Sequence, residues 1–150
     1  MTLKEKTTVL FLCTHNAVRS QMAEGLLNAL YPNRYQAFSA GTKKTGVDPT
    51  AIKVLKELGI DISTHRSKTI DEFKGTIFDY VVTVCDSAKE SCPFFPGKKI
   101  VHHAFYDPGT YNGTPEEILR KFRTSRDDIK TWIIQTFGKE RTSDIDLDTK

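Results

Sequence analysis

Cys13 and Arg19 enclose five residues, Thr14, His15, Asn16, Ala17 and Val18, and Ser20 follows directly. An ionised thiol is a nucleophile, and a guanidinium offers a planar fork of donors that matches a tetrahedral oxyanion. The flanking residues decide whether the two can cooperate. Thr8, Val9, Leu10, Phe11 and Leu12 make the apolar run of a buried strand, while Met22, Leu26, Leu27 and Leu30 lie on one helical stripe after Ser20. The stretch Val9 to Ser20 therefore predicts a strand, a short loop and a helix. A helix N-terminus presents unpaired N–H groups and the positive end of its dipole, which favour a bound anion. The same field favours the thiolate form of a cysteine placed just before it. Thr14 to Ser20 is thus a candidate oxyanion cradle, with Cys13 as nucleophile, Arg19 gripping the oxygens and the Ser20 hydroxyl steadying the sulfur. The competing reading, a buried structural cysteine followed by a surface arginine, does not account for the strand before and the helix after.

Two further stretches carry chemistry. The apolar run Phe78 to Cys85 ends, like the first, in a cysteine, and Cys92 follows after a polar segment. On a helix these two thiols would stand roughly 10 Å apart along the axis, beyond the limit of about 7 Å between Cα atoms for a disulfide. A bond between them requires the segment to loop out. Read from the residues alone, Cys85 and Cys92 are also compatible with one buried strand-end cysteine and one incidental surface cysteine. A zinc site is disfavoured, because His102 and His103 are adjacent and the cysteine spacing is not a usual ligand hook. Asp107 precedes Pro108 in a turn-rich loop, where its carboxyl can act as a general acid or simply as a turn residue.

The remaining sequence supplies the elements that must position these groups. Tyr35 to Ala40 reads as a second strand, ending at Gly41. Asp48 and Pro49 cap a helix carrying Ile52, Val54, Leu55 and Leu58 and stopped by Gly59. Ser67 to Phe73 is a short helix candidate, and Lys99 to His103 a fourth strand. Thr114 or Pro115 opens a long final helix, with Ile118, Leu119, Phe122, Ile129, Trp132, Ile133 and Phe137 spaced to cover a sheet and Gly138 as its stop. This alternation predicts an α/β fold, a parallel sheet with helices on both faces. Ligands in such sheets bind outside the carboxyl ends of the strands, which puts Cys13, Cys85 and Asp107 at one edge.

Composition sets the outer bounds. A chain of 150 residues, 38% hydrophobic and 27% charged, suits one soluble domain, expected over residues 1–138 with a flexible polar tail at 139–150. No apolar run is long enough to span a bilayer, and Lys4 and Lys6 precede a strand rather than a signal peptide's core, so a cytoplasmic protein is expected. The net charge of +3 is too small and dispersed to predict nucleic-acid binding, and with no bilayer-spanning run no membrane partner is expected, which leaves small anions as ligands. In a reducing compartment three cysteines suggest thiol chemistry rather than a disulfide framework.

Cys13, five residues, Arg19 and Ser20 resemble the signature loop of the low-molecular-weight tyrosine phosphatase superfamily. Ser20-Gln21-Met22-Ala23-Glu24-Gly25, Ser39-Ala40-Gly41 and the pair Cys85 and Cys92 resemble its thioredoxin-coupled arsenate reductase branch, and the likeness runs from about Val9 to Phe137. The resemblance implies a single four-stranded sheet in the order 2-1-3-4, with Asp107 as general acid. It further implies that Cys13 attacks arsenate, Cys85 attacks Cys13, and Cys92 resolves Cys85 into a disulfide that a thioredoxin-like protein reduces, in a monomer with no metal or organic cofactor. A low-molecular-weight phosphatase, the alternative, would use Cys13, Arg19 and Asp107 alike but leave Cys85 and Cys92 idle. A non-catalytic oxyanion-binding or redox-sensing module is a third class. The chain departs from the pattern at Val18, where many members have a second loop cysteine, and at His15, where many have glycine. Some members bind potassium through equivalents of Asn16, Glu24 and Ser39 plus a carboxylate. Lys68 stands in that last position, which implies an ammonium in place of the ion and no potassium requirement.

Overall fold

The apolar run after Thr7 becomes the central strand. In the computed structural model, which describes residues 5–86 and 93–139, β1 (Thr7–Cys13) pairs in parallel with β2 (Tyr35–Gly41) on one side and β3 (Phe78–Thr83) on the other. β4 (Gly97–His102) adds to β3, giving four parallel strands in the order 2-1-3-4. Between them run α1 (Arg19–Leu30), α2 (Pro49–Lys56) and a 3-10 turn at Ile70–Phe73; a second such turn at Pro108–Thr110 leads to α3 (Pro115–Phe137). Val9, Leu10, Phe11 and Leu12 are completely buried, as a central parallel strand requires.

Side chains alternate across β1, and the two faces meet different cover. Val9, Phe11 and Cys13 join the larger core with Met22 and Leu26 of α1, Val54 and Leu55 of α2, and Ile129 and Ile133 of α3. Leu10 and Leu12 face a smaller core with Ala40, Phe78, Val81 and Phe95, against which Phe38, Ile70 and Phe73 lie. Phe78 anchors this second layer through edge-on contacts to Phe38, Phe73 and Phe95, with centroids 5.5, 5.5 and 6.0 Å away. Both faces thus carry helical cover, unequally: the three α-helices share one face, and the 3-10 turn serves the other. Arg126 ties α3 to α2, donating to the Val54 carbonyl at 2.9 Å and to Glu57 at 2.8 Å. No helix among the described residues is long and apolar enough to cross a membrane.

The element boundaries differ from the sequence reading in several places, each for a local reason. α2 ends at Lys56, short of Leu58 and Gly59, because the chain tightens there into turns, with Leu58 N donating to Leu55 O and Gly59 N to Lys56 O at 2.9 Å. The short helix begins at Ile70 rather than Ser67, because the backbone of the preceding residues is drawn elsewhere. Lys68 N donates to Asn16 Oδ1 at 2.7 Å, Lys68 O accepts from Gly41 N at 2.9 Å, and Thr69 bridges to Gly41. β3 ends at Thr83, not Cys85; Val84 N still bonds to Leu12 O at 2.9 Å, so Cys85 is the first residue past the ladder. β4 starts at Gly97, before Lys99, where the lack of a side chain matters: a Cβ there would lie 2.5 Å from Val81. Cys92 lies outside the described residues, as does the expected tail from residue 140 onward.

Candidate active site

β1 delivers Cys13 as its last residue, and α1 begins at Arg19. The intervening loop is held from outside. Thr14 O accepts from Lys43 N at 3.0 Å and Thr42 Oγ1 at 3.1 Å, His15 O from Ser67 Oγ at 3.1 Å, and Ala17 O from Asp48 N at 3.0 Å. With these carbonyls engaged by neighbouring loops, the loop can offer N–H groups to its own centre, the requirement of an anion nest. Asn16 takes the left-handed conformation, φ 51°, and is fully buried. Its Oδ1 accepts from Lys68 N at 2.7 Å and Gln21 Nε2 at 2.9 Å, while its Nδ2 donates to Ser20 Oγ at 2.8 Å. Asparagine tolerates this backbone, and here it is also the knot of the loop. Gly41 permits the close fit of loop on β2: a Cβ would lie 2.6 Å from Thr14 O and 2.8 Å from Cys13 O. α1 starts without a side-chain cap, at Val18, whereas Asp48 caps α2 and Thr114 with Glu117 caps α3.

Cys13 is a free, buried thiol whose Sγ stands 2.8 Å from Ser20 Oγ. Arg19 is 2% exposed, an unusual degree of burial for a guanidinium, and lies between the Phe105 carbonyl and Asp107 Oδ2, 3.4 Å from each. Asp107 is a turn residue whose Oδ1 accepts from Gly109 N at 2.9 Å as the cap of the 3-10 turn, and it also lines the same cavity as Cys13. α3 fixes this loop, since Ser125 Oγ donates to Tyr106 O at 3.1 Å and Trp132 packs edge-on against Phe105 at 5.9 Å.

Cys13, His15, Ala17, Val18 and Arg19 line a cavity of about 330 Å³ closed on its other side by Thr45, Asp48, Asp107 and Thr110. A second cavity, of about 480 Å³, is lined by Thr14, His15, Arg19, Asp86, Tyr106 and Asp107 among others. Of the loop residues expected to contact substrate, Asn16 and Ser20 line neither cavity; Ser20 touches Cys13 Sγ and Asn16 in turn holds Ser20. Cys85 is buried and follows Val84, whose N–H bonds to Leu12 O and whose carbonyl accepts from Phe105 N at 3.0 Å. Cys13 and Cys85 therefore leave the sheet from adjacent strands at its carboxyl edge, with Asp86 already in the second cavity.

Behind the loop lies a polar network. Glu24 Oε1 accepts from Ser39 Oγ at 2.5 Å and stands 3.8 Å from Lys68 Nζ, which also donates to Arg66 O at 3.0 Å. Burial pushes the Lys68 pKa down, and the Glu24 charge works against that. His65 Nδ1 lies 3.0 Å from Gln21 Oε1, and His65 Nε2 3.7 Å from Glu24 Oε2. No group of His, Cys, Asp or Glu among the described residues is arranged to hold a metal. Sequence reasoning did not find Gln21 and His65 as braces of the loop, since their pairing joins residues distant in sequence. Asp48 was legible as a helix cap, but nothing local in the sequence shows that it also walls the cysteine's cavity.

The family model for low molecular weight phosphotyrosine protein phosphatases matches residues 8–141. The chain belongs to this family. The arsenate reductase of Halalkalibacterium halodurans is 45% identical to it over 125 residues, 83% of this chain and 90% of that protein. An arsenate reductase solved in its phosphate-binding state superimposes with a TM-score of 0.72 at 30% identity, covering 86% of this chain and 95% of that one. A thioredoxin-dependent arsenate reductase of Corynebacterium glutamicum gives a TM-score of 0.60 at 26% identity, covering 90% of this chain and 65% of that one. As a member of the family, the chain presents the phosphatase loop of cysteine and arginine together with a second cysteine, Cys85, beside it.

Proposed function

We propose that this protein reduces arsenate to arsenite in the cytoplasm, using Cys13 as nucleophile and a thioredoxin-like dithiol protein as the source of electrons. In this reading the loop amides and Arg19 hold the oxyanion, and the Cys13 thiolate attacks arsenic while Asp107 gives its proton to the departing oxygen, which leaves as water. The Cys85 thiolate then attacks the Cys13 sulfur. The electron pair of the sulfur–arsenic bond passes to arsenic, which departs as arsenite, and a Cys13–Cys85 disulfide remains. Cys92 attacks Cys85, restoring Cys13 and leaving a Cys85–Cys92 disulfide for the partner to reduce. No metal or organic cofactor takes part, and the Lys68 ammonium beside Glu24 serves where other members bind potassium.

The observation that carries this reading is the placement of Cys13 and Cys85 at the ends of adjacent strands, at one edge of the sheet, in a chain whose relatives at 40–45% identity are named arsenate reductases. Hydrolysis of phosphomonoesters, favoured by the family match itself, would need Cys13, Arg19 and Asp107 but no second thiol.

The deciding experiment is peptide mapping after alkylation of the fully reduced protein, with and without stoichiometric arsenate. The wild type is expected to yield a Cys85–Cys92 disulfide, and Cys92→Ser to stop at Cys13–Cys85. Three unmodified thiols after exposure to arsenate would sink the reductase reading and favour the phosphatase one.

A further inference from the structure

The His15 side chain takes no part in the mechanism above, yet the residue stands at the mouth of the site. It is exposed in a loop where Cys13, Asn16, Val18, Arg19 and Ser20 are buried, and it lines both cavities. Its own carbonyl is pinned by Ser67, and that of Thr14 by Lys43 and Thr42. The imidazole therefore rises from a fixed base at the rim that the two cavities share, along with Arg19, Asp107 and Thr110.

Charge and shape give this position work to do. The cavities bring three carboxylates to the cleft, Asp48 in one, Asp86 in the other and Asp107 in both, against the guanidinium of Arg19. An oxyanion reaching Cys13 through either cavity passes close to these acidic side chains. Among the described lining residues, His15 is the other group able to present an N–H donor that can also carry positive charge. Once a tetrahedral ion is seated against Cys13, its outward oxygens face the rim. In an inorganic oxyanion they are bare and can accept a hydrogen bond. In a phosphomonoester one of them carries an organic group, which must leave through the space that the imidazole takes up.

We propose that His15 is a specificity-determining residue, donating to an outward oxygen of an inorganic oxyanion and crowding the organic group of a monoester. The assignment rests on the oxyanion cradle of the proposed function and is independent of the thiol relay.

The test uses two readouts on the fully reduced full-length chain: protection of Cys13 from iodoacetamide by inorganic phosphate, and hydrolysis of p-nitrophenyl phosphate. In His15→Gly the phosphate concentration giving half protection should rise about tenfold, the scale of one charge-assisted hydrogen bond. Hydrolysis of the ester should instead improve, through a lower KM. His15→Ala, which keeps an ordinary backbone, should behave like His15→Gly, and His15→Gln, which restores a donor, should recover part of the phosphate affinity. Unchanged phosphate protection, or no gain in ester hydrolysis, overturns the assignment, and a parallel loss of both would make His15 a mere brace of the loop. If phosphate fails to protect the wild type, the cradle itself is wrong. If phosphate protects and the variants behave as stated while arsenate forms no disulfide, the relay falls and the role of His15 stands.

Discussion

Ser20 Oγ stands 2.8 Å from Cys13 Sγ while accepting the Asn16 amide at 2.8 Å. Because Asn16 donates into the oxygen, the hydroxyl is left to direct its own proton at the sulfur, the arrangement that stabilises a thiolate. Ser20→Ala removes this donor from a buried site without adding volume; it also takes the acceptor from Asn16 Nδ2, at a cost of about 1–3 kcal/mol that a drop in Tm should show while the fold persists. Hydrogen bonds to charged groups contribute about 1.5–3 kcal/mol, so alkylation of Cys13 by iodoacetamide at neutral pH should slow roughly tenfold or more. An unchanged rate would leave the loop amides and helix terminus as sufficient.

Asp107→Asn can keep the cap on Gly109 N, which Oδ1 accepts, but it puts an amide NH2 where Oδ2 accepted from Arg19, and it has no acidic proton to give. The first chemical step should slow by about 10² to 10⁴, the usual share of a general acid. Single-turnover formation of the Cys13 adduct is the measurement. A loss below tenfold would return Asp107 to the role of a turn residue.

What the sequence revealed and what it hid divide along physical lines. β1, α1 and the loop between them were legible because apolar periodicity and local helix-start signals are properties of neighbouring residues. The caps at Asp48 and Thr114 were legible for the same reason. The bracing of Asn16 by the Lys68 N–H, and of its partner Gln21 by His65, was not, since it depends on how the chain after α2 returns past the loop. That return also took the backbone of Lys68 and Thr69 out of the helix that their sequence suggested. Asp48 shows the limit most plainly: one residue caps α2, bonds the loop at Ala17 and walls the cavity, and a local motif reports the first of these alone.

Asp79 supplies a pH prediction away from the site. The Thr8 N–H, 2.9 Å from its Oδ2, holds the carboxyl below its ordinary range, with Lys98 adding to the effect. A carboxylate whose folded pKa is depressed contributes stability above its unfolded pKa and loses that contribution as pH falls through the folded value. Asp79→Ala should therefore lower Tm at neutral pH, and the gap to wild type should close as pH drops below about 4, where the unfolded carboxyl begins to protonate. A gap that stays constant to lower pH would mean that the ionised carboxylate is not what binds β1 to β3 at this point.

Lys68 offers the last prediction, because its ammonium sits in a network that other chemistry could fill. Nζ stands 3.8 Å from Glu24 Oε1, and the same oxygen accepts from Ser39, while the Lys68 backbone holds Asn16. Burial disfavours the charged amine and Glu24 favours it, so the pair is retained only while each offsets the other. If the ammonium does the work of a bound cation, replacing sodium by potassium at constant ionic strength should leave the wild type's Tm and its arsenate turnover unchanged. Lys68→Asp removes the cation, adds a carboxylate beside Glu24 and leaves the backbone bond to Asn16 available. This variant should lose stability through carboxylate repulsion and regain part of it with potassium more than with sodium, and its phosphate protection of Cys13 should follow the same order. A wild type that responds to potassium, or a Lys68→Asp variant indifferent to both ions, would show that Lys68 is not an internal substitute for the ion.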